Sequence, residues 1–314
     1  MNNYQPPDAA ASPRFCNMGN FMRLPRKETS EGLDFAVIGI PFDTGSSFRT
    51  GSRFGPNSIR KISAMIKPNN AVLHINVLKN LLGADLGDAP ITPGYINESY
   101  QAIEKSISDI ILYNTYPLIL GGDHSITLGV LRALAKKYGK LSLIHFDSHF
   151  DLCMDVFGQK FNHGTPFRRA LEEGLIDPNH SVQIGQRGSS YYPDEFEMAE
   201  NLGFKVISAT ELHSMEPEDL LKIITERVQD TKAFCTFDID FVDPAYAPGT
   251  GTPEVGGFTS YEALEFVRCL KNVNLVGNDI VEVAPDYDCS EITAYLAANL
   301  AFEFISMLAV KKSY

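Results

Sequence analysis

Three short clusters in this sequence bring together residue types that do metal chemistry. They are Gly121-Gly122-Asp123-His124-Ser125, Asp147-Ser148-His149-Phe150-Asp151 and Asp238-Ile239-Asp240. Residues i and i+2 of a strand point to the same side. If the chain stays extended, Asp147, His149 and Asp151 form one row, and Asp238 and Asp240 form another. Carboxylates held so close repel, and burying each without a partner costs several kcal/mol. A divalent cation resolves the conflict. Four Asp and two His (His124, His149) make a hard, oxygen-rich set that suits Mn²⁺ and admits Fe²⁺, Co²⁺ or Zn²⁺. Six ligands exceed what one ion needs, and carboxylates bridge. Two ions about 3.5 Å apart are therefore expected, the spacing of two-metal hydrolases. A lone D-x-D is common and usually structural. D-x-H-x-D is more specific, and three such clusters, each behind an apolar run, make metal binding the expected chemistry.

Those apolar runs are the elements that must position the clusters. Strands are expected at Phe35–Ile40, Ala84–Leu86, Pro117–Leu120, Leu141–Phe146, Val182–Ile184, Lys205–Ser208, Ala233–Ile239 and Leu275–Val283. Several are nearly continuous in apolar residues, as strands are when a parallel sheet is covered on both faces. Between them lie helix signals: Pro56 at a first turn, apolar spacing over 97–114, similar patterns over 126–138 and 217–229, and a buried-helix pattern over 290–309. Thr259 and Glu262 have the spacing of a capping box. The alternation from 35 to 309 predicts one α/β domain with a mostly parallel sheet, whose ligands bind beyond the carboxyl ends of the strands. The Pro- and Gly-rich stretch 243–257 cannot be a helix or a central strand, and is expected to wall the site.

Composition excludes other classes. The chain has 314 residues with 27 Lys and Arg against 39 Asp and Glu, a formal net charge of −12. That balance opposes nucleic-acid binding and polybasic membrane attachment. No run approaches the roughly 18–20 apolar residues of a membrane span. The N-terminus lacks the basic and apolar regions of a secretory signal. Five cysteines, an odd number without C-x-x-C spacing, fit a reducing compartment, so a cytoplasmic location is expected. Residues 1–20 read as an N-terminal arm for subunit contacts, and 21–314 as the catalytic domain.

The three clusters, with Gly39-Ile40-Pro41-Phe42-Asp43, Arg53-Phe54-Gly55-Pro56, His163-Gly164-Thr165-Pro166-Phe167 and Val281-Glu282-Val283-Ala284-Pro285, resemble the ureohydrolases: arginase, agmatinase and the guanidino-acid hydrolases. The resemblance runs from about 20 to 309. It implies a three-layer α/β/α fold with an eight-stranded sheet, a binuclear manganese site and a homotrimer or homohexamer. By motif, His124, Asp147, Asp151 and Asp238 would hold one Mn²⁺, and His149, Asp147, Asp238 and Asp240 the other. The substrate would be a small guanidino compound, cleaved to urea and an amine. Asp151 would stabilise the tetrahedral state, His163 would protonate the leaving amine, and Glu282 would bind the guanidinium. His74, His145, His180 and His213 match no ligand position, and His145 reads as a supporting or plain core residue. Pro248–Pro253 resembles the agmatinase branch more than arginase. The distal end of the substrate is expected at the loop Leu152–Asn162, which carries both Asp155 and Lys160. Agmatine is slightly preferred over guanidinobutyrate and guanidinopropionate. A non-catalytic metal-binding homologue is the reading from another class.

Overall fold

In the computed structural model, which describes residues 5–8 and 10–313, eight strands form one all-parallel sheet. They are β1 (Phe35–Gly39), β2 (Gly83–Asp88), β3 (Tyr116–Leu120), β4 (Ser142–Phe146), β5 (Val182–Ile184), β6 (Lys205–Ile207), β7 (Ala233–Asp238) and β8 (Leu275–Val281). Every expected strand is present. Their spatial order is β2-β1-β3-β8-β7-β4-β5-β6. The four strands that lead into the expected site residues, β3, β8, β7 and β4, are thus consecutive at the centre.

Alternating strand residues feed two cores. Phe35, Val37, Leu118 and Phe237 face one side, while Ala36, Ile38, Ile119 and Phe234 face the other. The first side is covered by α1 (Gly55–Ser63), α6 (Pro217–Val228), α7 (Ser260–Arg268) and α8 (Ile292–Lys312). The second is covered by α2 (Ile96–Ile111), α3 (Ile126–Tyr138), α4 (Pro166–Glu172) and α5 (Glu195–Asn201). This is the three-layer α/β/α architecture expected from the family resemblance. Pro56 opens α1, and Thr259 with Glu262 forms the capping box of α7. Helix α2 stops short of the expected 114, because Asn114 takes φ 60° and turns the chain into β3.

Helix α8, at 21 residues, is long and apolar enough to cross a bilayer, yet most of it is buried against the sheet. Its one acid, Glu303, is buried and accepts from Arg268 at 2.6 Å and Asn70 at 2.9 Å. Such pairing is what a buried carboxylate requires, and it suits a core helix. Part of the expected arm 1–20, residues 1–4 and 9, lies outside the described residues. Within the rest, Gln5 donates to the Leu78 carbonyl at 2.6 Å and Arg23 to Ser12 Oγ at 2.7 Å.

Candidate metal centre

Local sequence explains how each cluster leaves its strand. After β3, the chain passes so close to Phe42 that a Cβ on Gly122 would lie 1.8 Å from its carbonyl oxygen. Only glycine fits there, and the turn delivers His124 to the start of α3. After β4, the extended path ends at Phe146. Asp147–Asp151 is an irregular turn in which Asp151 takes φ 53°. After β7, Asp238 closes the strand and Asp240 sits in a 3-10 turn, with the Asp240 N–H donating to Asp238 Oδ1 at 2.9 Å. The expected rows along extended strands are therefore corrected. Turns, not strand alternation, gather these side chains, because a straight strand would carry Asp151 away from His124. Glu282, just past β8, also has a positive φ, 64°, and its N–H donates to the Gly122 carbonyl at 2.8 Å. Such a conformation costs about 1–2 kcal/mol in a non-glycine residue. Two of them stand at this one site.

The side chains converge. His124 Nδ1 lies 3.1 Å from Asp147 Oδ2, 3.0 Å from Asp151 Oδ2 and 3.2 Å from Asp238 Oδ2. His149 Nδ1 lies 3.1 Å from Asp240 Oδ2 and 3.4 Å from Asp147 Oδ1. Asp147 belongs to both groups, as a bridging carboxylate would. Two buried ligand-type atoms, His124 Nδ1 and Asp240 Oδ2, have no hydrogen-bond partner. An imidazole nitrogen aimed between three carboxylate oxygens, without a hydrogen bond to any, is the donor set of a divalent cation. The residues present thus fit two metal ions. His149 is the most open member, its side chain 36% exposed, while His124 and Asp147 are buried.

Electrostatics express the same crowding. Burial and then Asp240 and Asp147 push Asp238 well above the usual carboxylate range. Burial and Asp147 likewise raise Asp240. Burial opposes charge on His124, but Asp147, Asp151 and Asp238 outweigh it and hold the imidazole well above its ordinary value. Without a cation, the cluster must take up protons to relieve this repulsion.

His163 stands beside the cluster on the turn before α4, tied by its N–H to the Gly45 carbonyl at 3.1 Å. Its Nδ1 is 3.0 Å from Glu282 Oε1, and its Nε2 faces Ser47 Oγ at 2.7 Å and Ser47 N–H at 3.1 Å. Burial opposes its charge, but Glu282 outweighs it and raises the pKa to about 9. Glu282 Oε1 also accepts the His124 N–H at 2.9 Å. Gly251, in the expected wall, lies beside Glu282: a Cβ there would be 3.4 Å from Oε2. Asp155 is exposed and bonds Gly158 N–H within its own loop, and Lys160 is also exposed.

Sequence reasoning missed several neighbours. Asp123, quoted in its motif but given no role, is buried, accepts from Gly45 N–H at 2.7 Å, and is raised to about 7 by burial and Glu282. Ser47, Thr236, Asp279 and Gln183 were not singled out. A usable signal existed for Thr236: like His145, expected as a supporting or plain core residue, it lies two residues before a cluster aspartate, on the same strand face. His145 Nε2 meets Asp147 Oδ2 at 2.7 Å, so it supports the cluster and is not plain core.

A parallel sheet covered on both faces, with an oxygen-rich His and Asp cluster at its carboxyl edge, defines the class: an α/β protein built to hold divalent metal. The chain belongs to the arginase family, whose pattern matches residues 33–307. It is 44% identical over 303 residues to the mitochondrial agmatinase of Gallus gallus, covering 96% of this chain and 89% of that one. It is 42% identical over 310 residues to the guanidinobutyrase of Pseudomonas aeruginosa, covering 98% and 97%. The proclavaminate amidino hydrolase of Streptomyces clavuligerus superposes with a TM-score of 0.92 at 38% identity, covering 96% of this chain and 100% of that one. The protein is a ureohydrolase of guanidino compounds, a hydrolase of C–N bonds in linear amidines, and its family binds a binuclear metal site.

Proposed function

We propose that the chain hydrolyses agmatine to putrescine and urea with two Mn²⁺. His124, Asp147, Asp151 and Asp238 hold one ion; His149, Asp147, Asp238 and Asp240 hold the other. The observation that carries this reading is the convergence of three carboxylate oxygens on His124 Nδ1 at 3.0–3.2 Å, with the His163–Glu282 pair alongside. When bound, a divalent pair supplies Lewis acidity and a water whose pKa is lowered toward neutrality.

The chain's own residues do the rest. Glu282 spends Oε1 on His124 and His163, which leaves Oε2, beside Gly251, to accept from the guanidinium. Asp151 accepts a hydrogen bond from the attacking hydroxyl in the tetrahedral state. His163, protonated near neutral pH because of Glu282, holds a proton at Nδ1 and passes it to the departing amine nitrogen.

Agmatine is favoured by the net charge of −12, which attracts a dication, and by the 44% identity to an agmatinase. A second reading, a guanidino acid, is favoured by Arg49. Its guanidinium lies over the Tyr287 ring at 4.8 Å, and no carboxylate among the described residues pairs with it. Its carbonyl oxygen lies 3.1 Å from the Gly251 Cβ position. The test is urea release from agmatine, guanidinobutyrate, guanidinopropionate, arginine and guanidine, with and without Mn²⁺. Fastest turnover of agmatine is expected. Preference for a guanidino acid would transfer the assignment to the second reading, and no urea from any substrate would overturn the catalytic one. The same reading carries a cytoplasmic homotrimer or homohexamer, with residues 1–20 as an arm on a single catalytic domain; light scattering reads the assembly.

A further inference from the structure

Beneath the metal cluster, one buried polar residue from each of four adjacent strands stands in line. The pairing register sets Asp279 of β8 opposite Thr236 of β7, Thr236 opposite His145 of β4, and His145 opposite Gln183 of β5. All four are buried to 0% exposure. Strand alternation places them on the face covered by α2–α5, beneath His124 and with the Phe167 ring against His124 and His145. Four polar side chains in the interior of a sheet cost free energy unless each one is used.

Their contacts show the use. A histidine that offers Nδ1 to a cation must carry its proton on Nε2. His124 Nε2 is 2.8 Å from Thr236 Oγ1. The hydroxyl, accepting from the imidazole, then needs an acceptor for its own proton. Its cross-strand neighbour Asp279 is the acceptor at hand, because Oδ1 is buried and has no hydrogen-bond partner of its own. The other oxygen, Oδ2, accepts from Thr127 Oγ1 at 2.6 Å. On the far side of the row, the Gln183 amide nitrogen donates to the Phe150 carbonyl at 2.8 Å and to His145 Nδ1 at 3.1 Å. That leaves the His145 proton on Nε2, directed at Asp147 Oδ2 at 2.7 Å.

We infer that the row Asp279–Thr236–His145–Gln183 is a positioning layer for the metal centre: Thr236 and Asp279 fix the Nε2–H tautomer of His124, and Gln183 fixes that of His145 against Asp147. The inference rests on the metal reading of His124 and Asp147. It gives four residues a role in metal affinity although none is a ligand. Partners of this kind change metal affinity by about 10- to 100-fold when removed.

The test is Thr236→Val, which keeps the shape and loses the hydroxyl. Its Mn²⁺ dissociation constant is measured by chelator competition, beside the melting temperature of the metal-free protein. Thr236→Ser restores the hydroxyl without the methyl. The expected result is Mn²⁺ binding weakened about 10- to 100-fold in Thr236→Val, recovery in Thr236→Ser, and melting of the metal-free proteins that does not follow the affinity. Wild-type affinity in Thr236→Val overturns the inference. So does equal weakening in Thr236→Ser, which would make the methyl's packing the cause. Should Thr236→Val fail to fold, Thr236→Ala against Thr236→Ser decides, because the two differ only in the hydroxyl: weaker Mn²⁺ binding in Thr236→Ala supports the relay and equal binding overturns it. A wild-type chain that binds no Mn²⁺ would overturn the metal reading as well, whereas wild-type binding with unaffected variants overturns the relay alone.

Discussion

Replacing Glu282 by glutamine removes one negative charge and keeps the side chain's shape. In the wild type, burial works against charge on His163, and Glu282, helped by Asp151 and Asp123, overcomes it and raises the pKa from 6.5 to about 9. The charge being removed sits 3.0 Å from Nδ1, and the His163 side chain is only 12% exposed. Burial persists in the variant and the main attraction does not, so the His163 pKa should fall from about 9 back toward 6.5. At about 1.4 kcal/mol per unit, that is roughly 3 kcal/mol of differential stabilisation. Asp123 supplies a second reading: burial and Glu282 raise it to about 7, so losing Glu282 should lower it. The assay is an NMR pH titration of the metal-free protein, with the His163 resonance assigned by its loss in His163→Asn. Linkage gives the sign of the stability effect. A group raised in the folded state contributes fully below its unfolded pKa, near 6.5, and the contribution is lost as pH rises through about 9. Metal-free wild type should lose stability across that window, and Glu282→Gln should lose less. A His163 pKa still near 9 in Glu282→Gln would refute the reasoning, because it would place the source of the shift elsewhere.

Other consequences are as direct. Asp238→Asn should reduce Mn²⁺ content below two per chain and remove most urea release while the far-UV circular dichroism stays native; full metal content and activity would remove Asp238 from the ligand set. Phe241→Ala should destabilise the protein by about 3–5 kcal/mol, read by denaturant unfolding, since this buried ring stacks on Phe258 at 4.6 Å and meets Phe146 and Phe237 edge-on. Thr259→Ala should cost about 1 kcal/mol in the same measurement, because it removes the hydroxyl that accepts the Glu262 N–H at the start of α7.

The strands and the cluster aspartates were legible for one reason: each signal is local. Nearly continuous apolar runs such as Leu143–Phe146 and Phe234–Phe237 mark strands buried on both faces. The Asp and His residues directly after them stand out because nothing apolar explains them. Asp279 and Gln183 were not legible. A single polar residue within an apolar strand carries no local mark, and its meaning depends on which strand lies beside it.

The sequence alone determined the α/β class, the eight strand positions and the six candidate ligands, since hydrophobic periodicity and residue chemistry act over a few neighbouring residues. Only the tertiary structure decided that β3, β8, β7 and β4 lie side by side, and that turns rather than extended strands close the cluster. It likewise decided that Glu282 reaches both His124 and His163, and that a polar row runs beneath the ligands. Each of these joins residues tens to more than a hundred positions apart. Such contacts are set by strand order and register, which the whole packed sheet fixes and no single segment encodes.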